Sequence, residues 1–130
     1  MLNYYNILFA AGTPSLMPDG EVHACPEETL TFTCQTQSRL QWMIRFEGVL
    51  DSTVEQTYLS TDSEGMTMIN ERRGIQFTFN LTTSNITSSL LVSTMKVFTN
   101  RSTLLNGATV NCGEAGGVTP TTVINLRGIN

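Results

Sequence analysis

Apolar and polar residues alternate with a period of two in stretch after stretch of this chain. Leu30, Phe32 and Cys34 alternate with Thr29, Thr31 and Thr33. Leu40, Trp42, Ile44 and Phe46 alternate with Arg39, Gln41, Met43 and Arg45, and the chain's one tryptophan falls on the apolar side. Ile75, Phe77, Phe79 and Leu81 repeat the pattern against Gln76, Thr78, Asn80 and Thr82. Ala108, Val110 and Cys112 share one side, and in a final strand over 121–126 Ile124 and Leu126 are the inward pair. Successive side chains of a strand point to opposite faces, so each run predicts a strand with one buried face. Turn signals separate the runs, which is the all-β signature. Turns are expected at Gln35–Ser38, Glu47-Gly48, Thr83–Asn85 and Gly113–Gly117, with a connection over Asn100–Asn106. The stretch 47–73 predicts an edge strand within Val49–Leu59, a loop at Asp62–Gly65 and a strand at Met66–Ile69. A further strand is expected within Ser88–Phe98, where Leu90-Leu91-Val92 hides the inward face.

Composition agrees. Charged residues make up 14% of the 130, against roughly 25% in a typical soluble domain. Thr, Ser and Asn supply the polarity, and β-branched Thr suits the solvent side of a strand. The length fits one domain with its own core. Net charge is −4 and the seven basic residues are scattered, with Arg72-Arg73 the one basic pair. A nucleic-acid partner is thereby excluded, since binding requires a concentrated positive face. No stretch has the apolar length of a membrane span. Leu2–Ala11 is fairly apolar and ends in Ala10-Ala11-Gly12, but it has no basic start and Asn3 and Asn6 interrupt it. Residues 1–16 therefore read as an N-terminal extension or a degenerate signal remnant, and Pro14, Pro18 and Asp19-Gly20 set the domain at 17–130.

Leu30-x-Phe32-x-Cys34, Leu40-x-Trp42 and Asn106-Gly107-Ala108-x-Val110-x-Cys112 together resemble strands B, C and F of the immunoglobulin superfamily. The resemblance implies an all-β, immunoglobulin-like antiparallel β-sandwich of divergent variable or intermediate type, similar to invertebrate cell-surface Ig-like domains. It implies an inter-sheet disulfide between Cys34 and Cys112 with Trp42 packed against it in the core; the alternative is free buried thiols in an intracellular β-domain. Three departures stand out. Val110 occupies the family's tyrosine-corner position, and neutral Asn106 replaces the Asp expected to pair with Arg72 or Arg73. The link between Cys34 and Trp42 is short, leaving almost no B–C loop. Room remains after Trp42 for C′ and perhaps C″ strands.

Function follows from the resemblance rather than from chemistry in the chain. Ig-like ectodomain modules bind protein or glycan ligands in cell adhesion and receptor ectodomains, sometimes through homophilic contacts. They often do so through the sheet holding strands G, F, C and C′ or through the F–G turn. That assigns Gln41, Met43 and Arg45 to a ligand face, with Glu114–Val118 at the turn. The alternative is a structural spacer with no ligand of its own. An extracellular chain offers glycosylation candidates at Asn80-Leu81-Thr82, Asn85-Ile86-Thr87 and Asn100-Arg101-Ser102. Catalysis, a metal and a cofactor are not expected. His23-x-Cys25 has too few ligands for zinc, no nucleophile motif is present, and no acidic cluster has calcium-loop spacing. Cys25 is the odd thiol, open to intermolecular pairing or to a simple free role.

Overall fold

Every alternating run becomes a strand. The computed structural model describes residues 14–49, 52–61, 66–85, 90–100, 103–114 and 119–127. The strands are β1 (Ser15–Met17), β2 (Gly20–Ala24), β3 (Thr29–Gln37), β4 (Arg39–Arg45), β5 (Thr53–Leu59), β6 (Thr67–Arg72), β7 (Ile75–Asn85), β8 (Leu90–Phe98), β9 (Thr109–Gly113) and β10 (Thr121–Leu126). They form two five-stranded sheets, β1-β3-β8-β7-β6 and β2-β10-β9-β4-β5, the first and second sheets below. Their inner faces meet in one apolar core, and Thr29, Thr31 and Thr33 line the outer side of β3. Burying one face of each sheet against the other is what the period-two pattern requires.

Pairing is antiparallel throughout except at one edge, where β2 runs parallel to β10, Val22 opposite Ile124. The antiparallel β-sandwich expected from the sequence is therefore found, with this one parallel pair at an edge. The chain crosses from β1 on the first sheet, through a cis Met17–Pro18 bond, to β2 on the second. Ser15 and Leu16 pair with Gln35 and Cys34, so ordered pairing starts ahead of residue 17; residues 1–13 lie outside the described residues.

Several boundaries also differ. The expected turn at Gln35–Ser38 shrinks to Ser38, which takes a left-handed φ of 58° and passes the chain between sheets. The expected turn at Thr83–Asn85 is strand: an irregularity between Leu81 and Thr83 shifts the register and β7 runs on beside β8. An inserted residue of this kind bends a strand without ending it. Gly113, expected to open a turn, closes β9. Between β4 and β7 there are two strands, but only β5 joins β4 as a C′ strand does. β6 instead forms a hairpin with β7, turning at Arg73 (φ 57°) and Gly74 (φ 80°). Two positive φ values match the turn that two-residue hairpins favour. The expected loop at 62–65 lies outside the described residues.

Near the end of β10 the tyrosine corner is replaced by backbone pinning. Asn106 Oδ1 accepts from Leu126 N at 2.9 Å, and Gly107 N donates to Ile124 O at 2.7 Å. Arg73 does not need an Asp there; its Nε donates to Ser52 Oγ at 3.2 Å. Gly107 has φ 81°, and a Cβ on it falls 2.8 Å from Glu47 Oε2. Gly107→Ala is therefore expected to cost about 1–3 kcal/mol, because the positive φ opposes a side chain while the exposed Glu47 carboxylate can swing aside. A thermal melt reads this directly, and an unchanged midpoint would remove the argument.

Candidate recognition face

Trp42, Ile44 and Leu40 point into the core, so their neighbours on β4 must point out of the second sheet. Gln41 and Met43 are half-buried there and Arg45 is exposed. Strand register sets what surrounds them. Met43 lies between Glu55 of β5 and Asn111 of β9, and Asn111 in turn faces Thr121 of β10. Asn111 Nδ2 donates to Thr121 Oγ1. Arg45 lies between Thr53 and Thr109, and Thr109 faces Val123, which faces Glu21 of β2. Gln41 lies between Thr57 and Gly113. With strands about 4.8 Å apart, the five strands span roughly 19 Å.

At the β2 edge the face is tied by polar contacts. Glu21 accepts from Asn125 Nδ2 through Oε2, and its Oε1 lies 2.9 Å from His23 Nε2. This is the company of the sole histidine: an exposed carboxylate and an amide. No group of three or more His, Cys, Asp or Glu positioned to hold a metal occurs among the described residues. Glu114 is half-buried directly after β9, at the Gln41 end of the face; residues 115–118 of the expected F–G turn lie outside the described residues. Gly113 is buried although it points outward, because Thr119 lies over it, with Cγ2 2.8 Å from where a Cβ would be.

The structure thus gathers Gln41, Met43 and Arg45 in one row along β4, with Glu114 at its end. It adds Glu55, Asn111, Thr121 and Val123, which sequence reasoning did not single out. Asn111 carried a signal, as the outward residue between buried Val110 and Cys112, whereas inward Gln56 of β5 and Thr122 of β10 obscure the pattern around the others. Only the strand order, invisible in one sequence, says which outward residues become neighbours.

The first sheet carries Asn80 and Asn85. Asn80 points out of the first sheet between Thr67 of β6 and Thr94 of β8. Its Oδ1 accepts from Thr67 Oγ1 at 2.6 Å. Asn85 ends β7 on the same sheet, and Ile86 and Thr87 lie outside the described residues. Asn100 follows β8, its N donating to Phe98 O at 3.0 Å; Arg101 and Ser102 lie outside the described residues.

Cys34 and Cys112 are bonded across the sandwich, with Cα atoms 6.2 Å apart. Both lie in the fully buried core with Trp42, and Trp42 is next to Cys112 in the β4–β9 ladder. Cys25 is a free, exposed thiol. Two facing sheets, a bond between β3 and β9, and the indole of β4 beside it define the class: this is an immunoglobulin-like β-sandwich. No family model matches the chain, and no curated protein matches it. Among solved structures it is similar to the first Ig domain of the mouse polymeric immunoglobulin receptor. The identity is 13%, the match covers 92% of this chain and 98% of that one, and the TM-score is 0.47.

Proposed function

We propose that this chain is an extracellular recognition module, of the kind found in adhesion or receptor ectodomains, and that it binds a protein ligand through the outer face of the second sheet. The observation that carries the reading is a segregation. Asn80 and Asn85 stand on the first sheet and Asn100 just after β8, while the row Gln41, Met43, Arg45 and its neighbours bear no sequon. A surface kept clear of bulky sugar is available to a partner. Its composition supports this, because interfaces are enriched in Met and Arg and depleted in Lys. Met43 supplies a half-buried, adaptable apolar centre, and Arg45 supplies a planar donor set beside it.

The test is a binding screen of the folded, oxidised chain against cell-surface ectodomains, its own second copy and a glycan array. For the ligand found, Met43→Glu and Arg45→Glu are each expected to weaken binding at least tenfold, which corresponds to about 1.4 kcal/mol. Arg45→Glu is expected to leave the melting midpoint near the parent's, whereas Met43→Glu, which sets a carboxylate opposite Glu55, is expected to lower it modestly. Binding that survives both changes, or that is lost only through changes on the first sheet, would overturn the assignment. A chain that binds nothing but joins neighbouring domains would be a spacer.

A further inference from the structure

Among the described residues, the outer side of β6 is a free sheet edge. The strand pairs with β7 on one side only, so its other side presents backbone N–H and C=O groups to any strand that approaches. Proteins usually blunt such edges with Lys, Pro, a bulge or a covering segment. β6 has neither Lys nor Pro. Its charges, Glu71 and Arg72, sit at one end, while Ile69 is 61% exposed, and Met66 just before the strand and Met68 within it are exposed as well. An uncharged, apolar, open half-strand invites edge-to-edge pairing.

This half pairs with Asn80, Phe79 and Thr78 of β7, and Asn80 is the sequon residue among them. It stands opposite Thr67 in the β6–β7 ladder, and Ile69 is the next outward residue on β6, about 7 Å further along. Asn80 is also held firmly. Ser93 Oγ donates to its carbonyl at 2.6 Å, and Thr67 Oγ1 donates to its Oδ1 at 2.6 Å. The second bond uses the amide oxygen and leaves Nδ2, the nitrogen that carries an N-linked sugar, outside it. Leu81 is buried in the core, whereas Thr82, the hydroxyl residue of the sequon, is exposed at the register shift of β7.

We propose that Asn80 is N-glycosylated and that its glycan lies over the outer face of β6 and β7, covering Ile69 and obstructing the open edge. This inference rests on the extracellular reading given above. In the modification, Nδ2 forms a bond to C1 of an oligosaccharide carried on a lipid pyrophosphate. The C1–O bond breaks, the lipid pyrophosphate leaves with the electron pair, and one amide proton is released. The folded sheet accommodates the product because the Asn80 side chain points outward.

The full chain is to be secreted from cultured animal cells behind a cleavable signal. Peptide mass spectrometry after glycosidase treatment is expected to find Asn80 converted to Asp. Removing the glycan from the already folded protein is expected to shift sedimentation from monomer toward larger species. Ile69→Lys in the deglycosylated protein is expected to restore the monomer. Because the sugar is removed enzymatically, the outcome does not depend on an Asn80 variant folding. An unmodified Asn80 in the secreted chain overturns the proposal, and so does unchanged sedimentation after deglycosylation. The underlying readings fail separately. Three free thiols in the natural protein would sink the extracellular assignment, and a missing ligand would sink the recognition face, without altering the Asn80 peptide.

Discussion

Replacing Cys34 and Cys112 with alanine is expected to remove about 4–5 kcal/mol of stability, the largest loss from a change confined to one contact. The bond joins residues 78 apart in sequence. In the chain-entropy model, closing a loop of that length removes about 4.5 kcal/mol of denatured-state freedom. Both sulfurs are fully buried, so truncation also leaves a cavity beside Trp42, which adds to the loss. A domain of this size typically has about 5–15 kcal/mol in total, and the variant falls near the threshold of folding at body temperature. Urea denaturation is well suited to the measurement, because the single buried Trp42 is an internal fluorescence probe. A midpoint shift corresponding to less than about 1 kcal/mol, at unchanged slope, would show that the crosslink is incidental to this sandwich. Reducing the parent protein should reproduce much of the effect without any cavity, which separates the loop term from the packing term.

Much of this arrangement was readable from the chain, and the failures have identifiable causes. β3, β4, β9 and β10 alternate cleanly because each has one face in the core and one in water. Their cysteines and tryptophan then fixed which strands oppose one another. β5 was vague because its buried residues Val54 and Tyr58 are separated by half-buried Gln56, so the apolar period is four. β6 was found as a strand but not placed: all its residues are exposed or half-buried, and nothing in the pattern selects a sheet. In β7 the register shift after Leu81 breaks the period of two, so alternation alone ends the strand too early. In β8 the inward face is Leu91, Ser93, Met95 and Val97, and the polar Ser93 conceals it. The recognition face was half legible. The outward residues of β4 follow from Trp42, whereas their neighbours on β5, β9 and β10 depend on sheet order.

Ser93 itself leads to the second large prediction. It is fully buried, and a serine in the middle of an apolar face needs a reason. Trp42 Nε1 donates to Ser93 Oγ at 2.9 Å, and Ser93 Oγ donates onward to Asn80 O at 2.6 Å. One hydroxyl thus satisfies the indole of the second sheet and a carbonyl of the first, close to where β7 shifts register. A buried indole N–H ordinarily has a partner, and a donor or acceptor stranded in a core costs about 1–3 kcal/mol. Ser93→Ala strands one of each while deleting little volume, so a loss of about 2–4 kcal/mol is expected. Trp42→Phe alone removes the donor but leaves a gap in the core. In the double variant no N–H remains to be stranded, so its loss should fall short of the sum of the two single losses by about 1 kcal/mol or more. Strict additivity in that cycle would mean that the Trp42–Ser93 contact carries no energy. The role of Ser93 would then reduce to fitting a small side chain beside the indole.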